Sequence, residues 1–317
     1  MSDIDDRFDP EFDLKARAAW HYYIEGLTQE KISEILGVPR IKVQRILSAA
    51  RDEGIVQFKI RSGIAECAEL QAELVRKFGL EEAIVVPSPS DQRNAPEMIG
   101  HAAGQYLDAR VGIGDVIAVG WGRTIKAAIN KVPQRSVARL SVVSLLGGVT
   151  HSTAFNSAGA AVELAGRLGA DCHVLPVPVF ADHPEDRRIF MEQRSIKDVL
   201  QWARRANLAL ISVGSFSREN PIADSGFIRT SEWEELETAG AVGDILGHFI
   251  DANGGLVRHS VNERACSLPI SDLAQIPRII LASGGREKIA VLNAALKFMR
   301  VTTFITDEVA ARGLLSG

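Results

Sequence analysis

The sequence predicts an α/β protein in which a small all-helical domain precedes a larger domain with a doubly wound, mostly parallel sheet. Within residues 27–55, LTQEKISEILGVPRIKVQRILSAARDEGI, the apolar residues recur at helical spacing, stop at Gly37 and then resume. From about residue 61 onward, short apolar runs alternate with amphipathic helical segments. That alternation is typical of parallel strands joined by helices that cover both faces of a sheet.

Length and composition indicate a soluble globular protein with room for two domains. The chain has 317 residues, of which 46% are hydrophobic and 24% charged, and its formal net charge is −4. This balance argues against polyanion binding over the whole surface but leaves room for one basic face. The cysteines, Cys67, Cys172 and Cys266, are odd in number and far apart, which is typical of a reduced, cytoplasmic chain without a metal cluster. No cofactor is predicted.

The start of the chain is acidic. MSDIDDRFDPEFD, residues 1–13, has no apolar core, so it is not a secretion signal, and we interpret it as a disordered, solvating tail. No run in the chain approaches the roughly 18 apolar residues that a membrane span needs. We therefore expect a cytoplasmic protein without a membrane partner.

Residues 27–55 fit two helices joined by a tight turn. Thr28 is suited to cap the first helix, and Gly37 is suited to end it in a left-handed conformation. Pro39 fits the first position of the second helix, where its missing N–H would have no partner in any case. The apolar stripe of the second helix consists of Val43, Ile46 and Leu47. The pattern predicts a helix-turn-helix.

The outer face of the second helix is basic, which indicates DNA binding. Arg40, Gln44 and Arg45 can reach guanine or adenine edges in a major groove, and the other polar side chains of this helix can meet phosphates. The predicted DNA-binding residues are Thr28, Pro39, Arg40, Lys42, Gln44, Arg45, Ser48 and Arg51. The alternative is an αα-hairpin whose basic face is merely solvated.

Two segments flank this pair of helices. DLKARAAWHYYIEG, residues 13–26, reads as a preceding helix that packs on the pair, with Trp20 and the two tyrosines as core residues. EGIVQFKIRSG, residues 53–63, alternates like a short strand and could form a wing or an exit from the domain.

The second part of the chain contains seven short apolar runs that read as buried strands. They are residues 83–87, 116–120, 141–148, 172–179, 208–214, 278–285 and 301–306. Amphipathic segments such as 97–110 and 158–170 lie between them, which again favours a parallel sheet covered by helices. Ligands of such sheets bind at the carboxyl ends of the strands.

Glycine-rich segments follow three of these runs. VIAVGWGRTIKAAI closes a strand and opens a helix, so backbone N–H groups and the helix dipole favour an anion beside Arg123 and Thr124. A plain tight turn explains this pattern equally well. SLLGGVTHSTAFNSAG and ASGGREKIAVLNAAL each carry a Gly-Gly pair, and the polar run of the former suits a hydroxyl-rich ligand. Arg123, Arg286 and Lys288 could also be ordinary surface charges.

GAVGDILGHFIDANG places Asp244, His248 and Asp251 at helical spacings on one face. Such a trio is more often a solvated or hydrogen-bonded face than a metal site, and the other histidines lack ligand spacing, so no metal is predicted. No nucleophile elbow and no Cys–His signature points to hydrolysis, and no catalytic residue is predicted.

These segments occur together in one protein family. The combination of AAWHYYIEGLTQEKISEILGVPRIKVQRIL with VGWGRT, LLGG, GAVGDI, SGGREKIAVLNAAL and TDEVAARGLL runs over nearly the whole chain. It resembles the SorC family of bacterial sugar-responsive transcriptional regulators. The resemblance implies an effector domain of the phosphosugar isomerase and deaminase-like type, a homotetramer built as a dimer of dimers, and a phosphorylated sugar as effector.

The resemblance also implies ligand contacts. The phosphate would lie on Gly122, Arg123, Thr124 and Lys288, and Asp244 would face sugar hydroxyls. The predicted effector-binding residues are Gly120, Gly122, Arg123, Thr124, Gly147, Gly148, Asp244, Gly284, Gly285 and Lys288. The chain departs from the family after residue 214, where Ser215 and Phe216 stand in place of a glycine and a small residue.

Three functional hypotheses follow. The one we expect is a regulator of carbohydrate metabolism that binds pseudo-palindromic operator DNA under the control of a small phosphorylated sugar or polyol. The second is a regulator that senses an unphosphorylated polyol. The third is a phosphosugar isomerase or deaminase with a DNA-binding appendage, for which Asp244 would need a second acid–base group. The predicted domains are the tail at 1–13, the helix-turn-helix at 14–60 and the effector and oligomerisation domain at 61–317.

Overall fold

Packing between residues divides the chain into two units, residues 1–62 and 63–317. The computed structural model describes residues 10–56, 65–149, 157–217, 220–224 and 226–317. Most of the predicted wing strand and the segment HSTAFN, residues 151–156, therefore lie outside the described residues, as do the first nine residues. Across the described ranges, every helix is too short or too polar to serve as a membrane span.

The described part of the N-terminal unit consists of helices joined by turns. Its elements are α1 (Pro10–Ala19), a π-helical turn (Trp20–Ile24), α2 (Gln29–Leu36) and α3 (Arg40–Asp52). The expectation of a tail as far as residue 13 is wrong for its last four residues, because α1 begins at Pro10. Asp13 accepts a hydrogen bond from Arg17 at 2.6 Å, an i,i+4 ion pair that supports this first helix.

The turn between α2 and α3 follows the predicted chemistry. The Thr28 hydroxyl accepts a hydrogen bond from the Lys31 N–H at 3.3 Å, and Gly37 ends α2 with φ of 64°. The Ser33 hydroxyl donates to the Val38 carbonyl at 2.6 Å and so ties α2 to the turn. Pro39 occupies the N-cap position, directly before the first residue of α3, whereas the first helical position was predicted for it.

A small apolar core holds these helices together. Its buried residues are Ala18, Ile32, Val43, Ile46 and Leu47. Two expectations about this core are wrong. Trp20 is 57% exposed and Tyr22 is 37% exposed, so neither is a core residue. Trp20 lies two residues beyond buried Ala18, and two residues rotate a helical side chain to nearly the opposite face.

The second unit alternates helices and strands. Its strands are β1 (Glu82–Val86), β2 (Val116–Val119), β3 (Ser141–Ser144), β4 (Asp171–His173), β5 (Leu208–Ile211), β6 (Val213–Ser215), β7 (Ala241–Ile245), β8 (His248–Asp251), β9 (Arg278–Ala282) and β10 (Thr303–Asp307). Its helices are α4 (Ala65–Phe78), α5 (Ala95–Arg110), α6 (Arg123–Lys131), α7 (Ser157–Leu168), α8 (Pro184–Glu192), α9 (Arg194–Arg204), α10 (Pro221–Asp224), α11 (Thr230–Thr238), α12 (Ser260–Arg264), α13 (Ile270–Leu273), α14 (Ile289–Phe298) and α15 (Glu308–Ser316). Short 3₁₀ turns cover Gln92–Asn94 and Arg286–Lys288.

Seven strands form one parallel sheet in the order β1-β10-β9-β5-β2-β3-β4. Each predicted run contributes one of them, although the run at 172–179 forms only the short β4. Residues of α5, α6 and α7 are buried in one apolar cluster, and those of α4, α9, α14 and α15 are buried in another. The sheet is therefore doubly wound, and the predicted fold class is confirmed.

The predicted strand at 208–214 is two strands. The chain leaves the parallel sheet at Ser212 and continues as β6, which pairs with β7 in a separate three-stranded antiparallel sheet of order β6-β7-β8. This exchange of sheets places Gly214 and Ser215 directly beyond the carboxyl end of β5.

The segment predicted to carry a helical trio is a hairpin. β7 and β8 are joined by Leu246 and Gly247, whose φ values are 52° and 80°, so both residues of the turn are left-handed. The hairpin separates the trio. The Nε2 atom of His248 lies 2.9 Å from the Ser267 hydroxyl. Burial lowers the pKa of His248 to about 4, and the charge of Arg187 acts in the same direction.

Candidate DNA interface and candidate ligand pocket

The exposed face of α3 carries the polar side chains predicted to contact DNA. Arg40, Lys42, Gln44, Arg45 and Arg51 are exposed and Ser48 is part-buried. On the opposite side, Val43, Ile46, Leu47 and Ala50 are buried. A helix presented in this way can enter a major groove with its N-terminal residues toward the bases.

Charge pairing distinguishes α3 from α1 and α2. Lys15 pairs with Glu53 at 2.6 Å, and Lys31 pairs with Glu34 at 2.7 Å. By contrast, the four bases of α3 have no carboxylate within ion-pair distance among the described residues. These are Arg40, Lys42, Arg45 and Arg51. Their charges therefore remain available to an external anion such as a phosphate backbone.

Thr28 and Pro39, which were predicted with the interface, have structural roles in the described chain. Thr28 caps the start of α2 with its hydroxyl, and Pro39 directly precedes the first residue of α3. Ile41 is 68% exposed beside the basic side chains, which suits an apolar contact with a thymine methyl group.

A pocket of about 720 Å³, including its open mouth, lies at the carboxyl edge of the parallel sheet. Strands β9, β5 and β2 are neighbours there, and the segments that follow all three contribute to its wall. The lining residues are Pro96, Trp121, Gly122, Arg123, Thr124, Ser212, Val213, Gly214, Ser215, Ser217, Asn220, Ile222, Asp244, Glu287 and Lys288. This is the edge at which parallel sheets bind ligands.

Half of the predicted effector residues meet in this pocket. They are Gly122, Arg123, Thr124, Asp244 and Lys288. The other five glycines, Gly120, Gly147, Gly148, Gly284 and Gly285, are not among its lining residues.

Backbone interactions account for several of these glycines. Gly147 and Gly148 bond to main-chain carbonyls of Cys266 and Val177, and a Cβ on Gly147 would meet the Pro178 carbonyl oxygen at 2.5 Å. Gly285 donates its N–H to Asp307 at 2.9 Å. That amide is therefore unavailable to a phosphate.

One wall of the pocket is cationic. Helix α6 begins there after Gly122, which has φ of 113° and provides no side-chain cap. The first helical bond runs from Lys126 to the Gly122 carbonyl, so the preceding amides have no partner within the helix. Arg123 and Thr124 stand at this N-terminus, where the helix dipole favours an anion.

Lys288 completes the cationic wall. Its ammonium donates to the Ser283 hydroxyl at 3.3 Å, and Ser283 in turn accepts from Ser212 at 3.2 Å. Burial lowers the pKa of Lys288, with the charge of Arg123 acting in the same direction and Glu287 opposing it. An incoming dianion would relieve the repulsion between the two cations.

The opposite wall carries a buried carboxylate. Asp244 is 2% exposed, accepts the Gly247 N–H at 3.0 Å and accepts the Asn220 amide at 3.2 Å. Burial raises the pKa of Asp244, against the two hydrogen bonds and the charge of Lys288. Gly214 permits this arrangement, because a Cβ there would collide with the Asp244 carboxylate.

Several lining residues were missed from the sequence. Asn220 donates to the Ser215 carbonyl at 2.7 Å as well as to Asp244, and Ser217 and Ser212 bring hydroxyls to the same wall. Glu287 stands beside Lys288. The only signal for the serines was their place directly after a strand. Nothing local to Asn220 links it to Asp244, 24 residues away.

Comparison with protein families places both units. The family model described as "Putative sugar-binding domain" matches residues 62–316, and a "Homeodomain-like domain" model matches residues 9–59. The chain is similar to the erythritol catabolism regulatory protein EryD of Brucella abortus, with 33% identity over 317 aligned residues that cover 99% of this chain and 98% of EryD. It is 34% identical to the transcriptional regulator LsrR of Klebsiella pneumoniae, over 96% of this chain and 94% of LsrR.

A solved structure extends the likeness to three dimensions. The full-length sorbitol operon regulator SorC from Klebsiella pneumoniae matches with a TM-score of 0.73 and 27% identity, over 97% of this chain and 100% of that one. These proteins are transcriptional regulators and not enzymes, in agreement with the prediction that the chain has no enzymatic activity. The chain belongs to the SorC family of bacterial sugar-responsive transcriptional regulators.

Proposed function

We propose that the protein binds operator DNA through α3 and that a small phosphorylated sugar or polyol, bound in the pocket, controls this binding. The observation that carries the effector assignment is the division of one pocket into two walls. Arg123, Lys288 and the free amides of α6 form a cationic wall, and Asp244 with Asn220 forms a hydrogen-bonding wall. A phosphate ester of a polyhydroxylated carbon chain presents the two matching groups.

The hydroxyl end of such a ligand would meet groups that are already oriented. Asp244 accepts hydrogen bonds while it is ionised, and it is held in place by Asn220 and Gly247. Ser215 and Ser217 can both donate and accept. A buried, pre-oriented wall rejects analogues that lack a hydroxyl, because its polar groups would then be left without partners.

An unphosphorylated polyol is the second candidate. It is favoured by the likeness to EryD, whose name refers to erythritol catabolism, and by the fact that the Asp244 wall needs no phosphate. In that case the cationic wall would have to stay solvated or bind a separate anion. The two candidates are chemically distinct and can be separated by binding.

Operator recognition is proposed to require a symmetric oligomer, with a dimer of dimers as the assembly. A single helix-turn-helix covers too few base pairs for specificity in a genome. Two copies of α3 would bind a pseudo-palindrome with half-site centres about 10.5 bp apart, or a multiple of this spacing. We place this activity in the cytoplasm, where bacterial DNA and phosphorylated sugars are found.

We predict different effects for two substitutions on α3. Arg40→Ala should relax base preference at one operator position at a cost of about 1–3 kcal/mol, because it removes a base contact. Lys42→Ala should weaken binding to all sequences alike and make the salt dependence shallower, because it removes a phosphate contact. Operator titrations at several salt concentrations, with matched and mismatched sites, measure both effects.

Lys31→Ala is the control for these variants. Lys31 is exposed on α2 but is already paired with Glu34, so its removal should leave both affinity and salt slope nearly unchanged. Wild-type behaviour of both α3 variants would show that another surface contacts the DNA.

A thermal-shift comparison tests the effector class. Matched pairs such as erythritol and erythritol 4-phosphate, and ribose and ribose 5-phosphate, differ only in the phosphate. A phosphorylated member at about 100 times its dissociation constant should raise the free energy of unfolding by about 2.7 kcal/mol. Its free partner should have a much smaller effect. Stabilisation by free polyols alone would support the second candidate. The absence of a thermal shift with every compound of the panel would contradict both candidates.

A further inference from the structure

Three aromatic rings pack behind the hydrogen-bonding wall of the pocket. Phe216 stacks on Trp233 of α11 with ring centroids 4.4 Å apart and an angle of 11° between the planes. Both rings meet Phe249 of β8 edge-on, at 6.0 and 5.7 Å. Trp233 is 5% exposed and Phe249 is fully buried, so two of the three rings are fixed in the core.

Phe216 lies between two residues of the pocket wall. Ser215 and Ser217 line the pocket on either side of it, and the Phe216 ring itself is absent from the lining. Its N–H donates to the Val242 carbonyl at 3.3 Å. The segment therefore presents serines to the pocket and a ring to the core, and the ring is its main apolar attachment there.

Asn220 extends this attachment to the buried carboxylate. Its side-chain amide donates to the Ser215 carbonyl at 2.7 Å and to Asp244 at 3.2 Å, and its side-chain oxygen accepts the Ile222 N–H at 2.9 Å. A displacement of residues 215–217 would therefore also disturb Asn220 and, through it, the orientation of Asp244.

We infer that Phe216 is a positioning residue for carbohydrate recognition, which fixes the hydroxyl-binding wall by stacking on Trp233. This inference rests on the proposed function, since it concerns selectivity within the same pocket. The cationic wall is built by α6 and Lys288 and does not depend on this stack. Loss of the stack should therefore weaken contacts with hydroxyls while leaving contacts with phosphate in place.

The first test uses the protein without ligand. Phe216→Leu keeps an apolar side chain but removes the stacked ring. Amide hydrogen exchange at Asn220 and Ala223, whose N–H groups are bonded within this segment, should accelerate on the order of tenfold, since stacking beyond area burial is lost. Phe216→Tyr keeps the ring and should restore slow exchange.

Phe304→Leu is the matched control. Phe304 is fully buried in β10, so its substitution lowers global stability by a comparable change of side chain without touching the stack. It should leave exchange at Asn220 and Ala223 close to that of the wild type at equal global stability. Equal acceleration in Phe304→Leu and Phe216→Leu would overturn the inference.

The second test is a ratio of affinities. The probes are inorganic phosphate and the sugar or polyol phosphate that gives the largest thermal shift in the panel above. Phe216→Leu should raise the dissociation constant of the ester about tenfold and change that of inorganic phosphate less than about twofold. Phe216→Tyr should again behave like the wild type.

The outcomes separate the two proposals. If the wild type binds no ester in the panel, the phosphorylated-effector proposal fails, and the hydrogen-exchange test still decides whether the stack fixes the segment. If the wild type binds an ester and Phe216→Leu keeps the same affinity ratio, the proposed function stands and the positioning role of Phe216 is refuted.

Discussion

Loss of the effector response, with effector-free operator binding unchanged, is the expected result of Lys288→Ala. In the wild type, a coupling of about 1–3 kcal/mol between effector and DNA would change operator affinity about 5- to 150-fold. Lys288 supplies the part-buried cation of the pocket, close to both Arg123 and Asp244. Without it, a phosphate ester would lose a charge-assisted hydrogen bond, and operator affinity should change less than about twofold on its addition.

Neighbouring substitutions set a scale for this effect. Arg123→Ala should also blunt the response strongly, and Thr124→Val should blunt it less, because it removes a neutral donor. Lys297→Ala is the control. Lys297 lies exposed near the end of α14, the helix that follows Lys288, and its loss should leave the response intact. The measurement is operator affinity with and without the tightest-binding ester from the panel.

The lowered pKa of Lys288 gives the same prediction a pH dependence. The ammonium binds an anion only while it is protonated, so affinity for inorganic phosphate should fall as the pH rises through this pKa. Because burial places that pKa below the ordinary lysine value of about 10.4, the fall should begin at a lower pH than for an exposed lysine. Lys288 would be excluded from the site if Lys288→Ala still showed both the effect of the ester on operator affinity and the fall of phosphate affinity at high pH.

A large loss of stability is expected when the buried ion pair of α11 and α12 is broken. Arg264 and Glu232 are 7% and 4% exposed, and the Arg264 guanidinium donates to the Glu232 carboxylate at 2.9 Å. Arg264 also donates to the Ala181 carbonyl at 3.1 Å. Glu232→Ala would leave this cation buried without its carboxylate, at a cost of about 3–5 kcal/mol in the free energy of unfolding.

A double-mutant cycle in urea measures this pair. The Glu232→Ala and Arg264→Ala losses should not add, since each single change removes the same contact. The Arg264→Ala loss should be the smaller one, because Glu232 keeps its ion pair with Arg229 at 3.1 Å. Arg188→Ala is the control, because its ion pair with Glu185 is exposed and should contribute little. Additive losses in the cycle would contradict a direct interaction.

Acidification should cause part of the loss of stability that is expected of Glu232→Ala. Burial tends to raise the pKa of Glu232, but the hydrogen bonds from Arg229 and the charge of Arg264 outweigh it, so the pKa is lowered. The contribution to stability is therefore fully present above the unfolded value of about 4.3 and is lost as the pH falls through the folded value. This acid-dependent part should be missing in Glu232→Ala.

The parallel strands and the helix ends could be predicted because their signals are local. Apolar runs, the Thr28 cap and the left-handed Gly37 each depend on a few neighbouring residues. The hairpin could not be predicted in this way. Its turn places Leu246 at a positive φ that favours glycine or asparagine, so Gly247 was the one turn signal between Asp244 and His248, and a single glycine does not distinguish a hairpin from a helix.

The candidate site was predictable to the extent that its residues follow strands. Arg123, Thr124 and Lys288 belong to segments that begin at the carboxyl edge of the sheet, and the structure brings them together. The Gly-Gly pairs also follow strands, but their amides bond to residues that are distant in the sequence. The Gly285 N–H, for example, donates to Asp307. Asn220 acquires its importance only from a contact made by folding.

The bases of α3 affect the orientation in which the protein approaches DNA. The chain as a whole carries a net charge of −4, while α3 holds four bases without carboxylate partners among the described residues, so the remainder is more negative than the whole. Most random encounters with a DNA molecule are then repulsive, and those that lead with α3 are attractive. The free protein should therefore spend little time in unproductive orientations, and its association rate should fall steeply as salt screens this bias.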